Sequence, residues 1–305
     1  MSDSPPTPDP ILRPTQSNRR FVIILACMVI AFVAVVVFRN RIRCEWWAYR
    51  LAAATAPADH AYYVSCLMAC DEDALPAIRR LTRDEKPEIR AISLLLIGRR
   101  QIETIVDIIP PLLHDPDRDI RESAGTTLAF SAAQAAIDLL CDTAATPNDD
   151  IACSALASLG RTSNPSAIAT LCDALTRRPQ PLVRAQAAES LAEAIAPALD
   201  SSRAALAPSK NCDPVAALVR ALADQARFSG MLTTERQISR VTAHVASQTT
   251  RPVSPPTEQP PTRTVAAIAA AGLSRLTGEQ VDAHPVIDEE AASARFRELI
   301  LSRNR

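Results

Sequence analysis

Four apolar residues, Ile89, Ile120, Ile151 and Val183, recur at steps of 31, 31 and 32 residues, and the surroundings of each are alike. Positions +4, +5 and +8 hold Ser93, Leu94 and Ile97, then Ala124, Gly125 and Leu128. The next two sets are Ala155, Leu156 and Leu159, then Ala187, Ala188 and Leu191. That spacing puts small and aliphatic residues on one stripe of a helix. A companion helix precedes each: Leu75, Val106, Ile137 and Ile168 recur every 31 residues, with Ile78, Ile109, Leu140 and Leu171 three residues on. Two short helices therefore repeat per unit, and neither can bury its stripe alone. Stacking neighbouring units buries both. The fold class expected is all-α, an α-α solenoid of helical pairs about 31 residues long.

The link between the paired helices repeats as well. It reads Asp84-Glu85-Lys86-Pro87, Asp115-Pro116-Asp117-Arg118, Pro147-Asn148-Asp149-Asp150 and Pro179-Gln180-Pro181, which is turn and N-cap chemistry. An arginine follows the reference residue in three units: Arg90, Arg121 and Arg184. These arginines are expected to pair with turn aspartates of their own or a neighbouring repeat; an anion-binding ladder is the alternative. The pattern D-x-(P)-x-I-R-x-x-A-x-x-x-L resembles HEAT-like repeats of the phycobilin-lyase type, over residues 71–195. The resemblance implies a HEAT-like solenoid that mediates protein–protein interaction. Its alternative implication is a lyase-like enzyme or enzyme subunit.

Past residue 195 the register slips. Asp213-Pro214 opens a helix with Val215, Leu218 and Leu222, and Ile238, Val241 and Val245 mark another. A Pro-rich insertion at 249–262 cannot be helical. Val265, Ala269, Ala270 and Leu273 then reproduce the second-helix signature, and Gly278 is a natural C-cap. Residues 196–305 are read as a diverged terminal repeat, closed by an amphipathic helix with Phe296, Leu299 and Ile300 facing inward.

Phe21–Phe38 is an 18-residue run without a charge, at the short end of what crosses about 30 Å of hydrocarbon as a helix. Arg19 and Arg20 bracket one end; Arg39, Arg41 and Arg43 bracket the other. No small-residue cleavage site follows, so an uncleaved transmembrane helix over 21–38 is expected rather than a signal peptide. Residues 1–20, rich in Pro, Ser and Asp, form a disordered tail. Residues 39–70 supply juxtamembrane and N-terminal capping helices, with Trp46, Trp47 and Tyr49 as core of the cap rather than at headgroup level. The cellular site expected is a single-pass position in a bacterial cytoplasmic membrane. Flanking arginines are nearly balanced and leave the topology open; a short tail before an uncleaved anchor favours export of the solenoid.

Charge and chemistry exclude more than they suggest. Residues 71–199 carry 13 bases against 19 acids, a poor match for phosphate backbones, so no nucleic acid is expected. His60, His114, His244 and His284 are scattered, and six glycines form no phosphate loop. Asp115, Asp117 and Asp119 alternate as in a calcium loop, but Ile120 and Thr126 stand where that loop needs Gly and Glu. Cys66 and Cys70 have ligand-like spacing with His60 near, and are read as buried small hydrophobes. No catalytic residue, metal or cofactor is expected, and the chain is read as a non-enzyme. The partner expected is a protein or peptide. With about 100° per residue, positions +2, +3 and +6 of the second helices point away from the core stripe. The candidate concave binding face is therefore Glu122, Ser123, Thr126, Cys153, Ser154, Ala157, Ala185, Gln186 and Glu189.

Overall fold

The computed structural model describes residues 16–100, 102–131, 133–196, 212–228, 232, 263–284, 286 and 288–303; side chains at 16–22, 31, 34–37 and 102 are not among those described. Most of the expected tail, the helix expected around Ile238 and the Pro-rich insertion at 249–262 lie outside these residues. The chain divides into two compact units, 1–77 and 78–305.

In the first unit, α1 (Gln16–Ala53) runs 38 residues without a break. The apolar run and the stretch expected to be a separate juxtamembrane helix are thus one helix, which begins five residues before Phe21. Every side chain from Ile23 to Ile30 is exposed, and Phe32 is 70% exposed. Among the described residues no helix is long and apolar enough to cross a membrane. Among the described residues, the buried side chains of α1 lie in its C-terminal third. Cys44, Ala48 and Leu51 are buried there against α2 (Pro57–Met68) and a 3-10 turn at Glu72–Ala74. Tyr63 and Leu67 complete this small core. The expectation that Trp46 and Tyr49 are core is corrected: they are 55% and 63% exposed, because the small side chains of Cys44 and Ala48 occupy the helix face that meets α2. α3 (Leu75–Leu81) straddles the division between the units.

The second unit is a stack of helix pairs. Second helices are α4 (Pro87–Ile97), α7 (Arg118–Ser131), α9 (Asp149–Leu159) and α11 (Pro181–Ile195). First helices are the broken pair α5 (Ile102–Ile108) and α6 (Pro110–Leu113), then α8 (Gln134–Ala144) and α10 (Pro165–Arg177). Pro110 follows Ile109, and an interior proline has no N–H to donate to the helix ladder, which explains the break. Pro87, Pro165 and Pro181 instead stand at helix starts, where the missing N–H costs nothing. The terminal repeat is α12 (Pro214–Ala221) and α13 (Val265–Thr277), followed by α14 (Glu289–Arg303). Between α12 and α13 the chain leaves through β1 (Arg227–Phe228) and returns through β2 (Arg263–Thr264). The strands pair antiparallel, Arg227 with Thr264 and Phe228 with Arg263, so a two-residue ribbon closes the base of the insertion.

The register holds in three dimensions. Ile97, Leu128, Leu159 and Leu191, all at +8, have no accessible surface, and neither do Ile78, Ile109, Leu140 and Leu171 on the first-helix line. Second helices contact one another in series (α4 to α7 to α9 to α11 to α13), as do α5, α8, α10 and α12. Small residues let the second row close up. A Cβ added at Gly125 would stand 2.2 Å from Ser158 Oγ, and one at Gly160 would stand 2.8 Å from the backbone of Ser190. Gly278 ends α13 in the left-handed region at φ 79°, the C-cap role its position implies. In α14, Ile300 is buried, while Phe296 and Leu299 are half-buried.

Candidate interaction surface

The repeated turns are held by a ladder of guanidinium groups. Arg90 Nη1 donates to the carbonyls of Asp84 (2.9 Å) and Glu85 (3.0 Å) in its own turn. Its Nε and Nη2 grip Asp115 of the next turn at 2.6 and 2.9 Å. Arg184 repeats the arrangement: Nη1 donates to the carbonyls of Arg178 and Pro179, and Nε and Nη2 to Asp224 at 2.6 and 3.2 Å. Arg121 Nη1 donates to the carbonyls of Asp115 and Pro116, six and five residues before it as in the other two. The third unit has Ala152 where the arginine belongs. There Arg178 of the following turn reaches back, and its Nη2 donates to the carbonyls of Ala144 and Thr146. The expected pairing with turn aspartates is what is seen at Arg90 and Arg184. Bidentate hydrogen bonding to Asp115, partly offset by burial, holds the Arg90 pKa above its ordinary value. Asp115 closes its turn by accepting from the Asp117 N–H at 2.8 Å, and Asp117 caps the start of α7 by accepting from the Asp119 N–H at 2.8 Å. Among the described residues no cluster of three His, Cys, Asp or Glu could hold a metal ion.

The nine-residue stripe on the second helices is not an open face. Glu122, Cys153, Ser154, Ala157, Ala185, Gln186 and Glu189 are buried; Thr126 is half-buried and Ser123 alone exposed. A helical wheel puts these positions opposite one core stripe, but neighbouring second helices cover that side too. In α9 every residue from Ala152 to Leu159 is buried. The polar members have local partners. Glu122 pairs with Arg118 at 2.8 Å, Gln186 donates to Glu189 and Ser190, and Ser154 donates to the Asp150 carbonyl. Thr126 accepts from Arg161 of the next repeat at 2.5 Å. Burial is the main reason the Cys153 thiol is pushed up to about 12.

An open concavity lies instead on the row of first helices. A groove of about 810 Å³ runs across α8, α10 and α12, with Cys141, Thr170, Asp173, Arg177, Ala216 and Arg220 along it. Its charged groups carry both signs and are tethered at the rim: Arg177 to Asp173 at 2.9 Å and Arg220 to Glu289 at 3.2 Å. Cys172 and Cys212, also in its wall, are joined by a disulfide. The cysteine count did not foretell this bond, because its partners are 40 residues apart with the register slip between them.

Residues 74–157 match the sequence profile of HEAT repeats. The chain carries HEAT-like helical repeats. Such repeats suggest a scaffold for protein interaction. No curated protein matches the chain. Among solved structures, a crystal structure of an engineered protein from the Northeast Structural Genomics Consortium is similar at 12% identity. It covers 86% of this chain and 98% of its own, with a TM-score of 0.33, too low to carry an argument.

Proposed function

We propose that the chain is a membrane-anchored HEAT-like scaffold that holds a protein or peptide on its first-helix groove and performs no catalysis itself. The observation that carries the anchor is α1. Its exposed side chains at consecutive positions, Ile23-Ile24-Leu25 and Met28-Val29-Ile30, point in every direction around the axis. A helix apolar all round needs an apolar surrounding on every side, and for α1 that surrounding is lipid. The uncharged run Phe21–Phe38 is the segment that spans. The groove carries the binding half of the reading. It is concave and polar, whereas the second-helix stripe is covered. The disulfide supports the exported side of the membrane, since such bonds persist in oxidising compartments.

Two measurements test this. Full-length protein should stay in the membrane through carbonate extraction, and removal of residues 1–40 should release a soluble helical protein. Recovery of the full chain without detergent sinks the anchor. A photo-crosslinking residue at Thr170 or Ala216 should capture a partner in native membranes, and one at Ser123 should not. Crosslinks from Ser123 alone would move the binding site off the groove.

A further inference from the structure

The part of α1 that follows the apolar run is two-faced. At about 100° per residue, the buried Cys44, Ala48 and Leu51 fall within an arc of about 60°. Arg39, Ile42, Arg43, Trp46, Tyr49 and Arg50 fall within about 120° on the opposite side, and all six are exposed. The exposed face therefore holds two large amphipathic rings and three guanidinium groups, and the Arg43 guanidinium lies 4.7 Å from the Trp47 ring centre. Arg50 stands 5.8 Å over Trp46 and donates from Nε to the Tyr63 hydroxyl at 3.2 Å. Residues 39–50 carry four arginines against one acid, Glu45.

Exposed tryptophan and tyrosine beside arginine suit one environment above others. The rings bury an apolar body and keep a polar edge wet, and guanidinium groups match phosphate oxygens in fork geometry. Height along the helix agrees. Arg39 to Arg43 begin within about 8 Å of Phe38, and Trp46 stands about 12 Å beyond it at 1.5 Å per residue. The headgroup layer is about 5–8 Å deep on each side of the hydrocarbon. Helical side chains lean toward the N-terminus, here toward the apolar run, which lowers the Trp46 ring toward the outer edge of that layer and leaves Tyr49, about 17 Å beyond Phe38, on its water side.

We propose that this face of α1 is a headgroup-binding collar selective for anionic phospholipid, with Arg39 and Arg43 on lipid phosphates and Trp46 and Tyr49 at the water boundary. The proposal rests on the anchor reading above.

Trp46 and Trp47 are the only tryptophans in the chain, so with Trp47 replaced, tryptophan-selective fluorescence reports on Trp46. The experiment uses full-length Trp47→Phe protein in vesicles of phosphatidylcholine with 0 or 30% phosphatidylglycerol. Either lipid is dibrominated in turn, and a parallel sample goes through carbonate extraction. Brominated phosphatidylglycerol is expected to quench Trp46 better than brominated phosphatidylcholine at equal mole fraction. Each Arg→Gln change at 39 or 43 should lower the relative association by up to about fivefold, and aqueous acrylamide should quench weakly. Carbonate-resistant protein whose Trp46 is quenched by acrylamide but by neither lipid overturns the collar and leaves the anchor standing. Equal quenching by both lipids overturns the anionic selectivity. Extraction of the full chain by carbonate overturns the anchor and the collar with it.

Discussion

Two eight-residue stretches of helix show what this chain does with an apolar surface that has no polar side. From Ile23 to Ile30 every side chain of α1 is exposed; from Ala152 to Leu159 every side chain of α9 is buried. Neither has an amphipathic face. The difference lies in residue size. The α9 stretch is built of Ala, Ser, Cys and Leu, so α7 and α11 approach it from both sides and cover it. The α1 stretch is dominated by Ile, Leu, Met and Val, which give wide cross-sections and meet no second helix. A helix without a polar face must be covered by something. Small residues let neighbouring helices do it in α9; the large side chains of α1 stay exposed.

The comparison breaks most readily at the +8 leucines. Leu128→Ala or Leu159→Ala should cost about 2–5 kcal/mol of unfolding free energy, the range for leucines that leave a cavity behind. Both have no accessible surface. Phe32→Ala in α1 should leave the repeat unit's denaturation midpoint unchanged, since Phe32 is exposed. Denaturant titration of the full chain in detergent, followed by circular dichroism, measures both. A leucine effect below about 0.5 kcal/mol would mean that the repeat register does not define the core.

Enlargement tests the size argument directly. Gly160→Ala places a methyl 2.8 Å from the Ser190 backbone, which cannot rotate away, so the loss should be about 1–3 kcal/mol. Gly98→Ala meets its nearest neighbours at 3.4 and 3.6 Å and should be neutral within about 0.5 kcal/mol. Equal effects at the two glycines would show that close approach of α9 and α11 is not what buries α9.

A pH dependence tests the burial of α9. The Cys153 thiol has an ordinary value of 9.0 and is pushed up to about 12 in the fold, chiefly by burial. A folded value above the unfolded one means the native state holds its proton longer. The contribution is complete below pH 9 and is lost as pH rises toward 12, at up to about 1.4 kcal/mol per pH unit. Cys153→Ala should therefore flatten the fall of Tm between pH 9 and 10.5 relative to the parent chain. An identical slope in both proteins would place Cys153 in contact with water.

How much of this was legible in the sequence follows from what fixes each feature. The repeat register, the core leucines and the turn arginines are set by local periodicity and by hydrogen bonds to carbonyls five and six residues away, and these can be read one unit at a time. The candidate face failed for the opposite reason. Glu122, Gln186 and Glu189 are polar, and a single helical wheel puts them outward; only the neighbouring second helices cover them. The first-helix groove and the Cys172–Cys212 bond depend on where the chain returns after the register slip, which no local pattern encodes. Distance from Phe38, eight residues to Trp46, points the rings to the cap core, but the smaller Cys44 and Ala48 take that place.

The smallest predicted effect tests how fully side chains of neighbouring turns tie the second helices together. Arg90 grips Asp115, 25 residues ahead. The same step from Arg121 reaches Thr146, which has no carboxylate. Arg121 Nε and Thr146 Oγ1 are both buried without a hydrogen-bond partner, so this rung of the ladder is incomplete on both sides. Thr146→Asp should supply the acceptor and raise stability by about 1 kcal/mol, the gain of a charge-assisted hydrogen bond less the cost of burying the carboxylate. The gain must vanish in an Arg121→Gln background, which a double-mutant cycle reads as a coupling energy. If Thr146→Asp stabilises equally with and without Arg121, the aspartate acts on the α9 N-terminus alone. If it destabilises in both, the 25-residue step does not carry through the third unit, and Arg178 reaching back from the fourth turn is the full replacement for the missing rung.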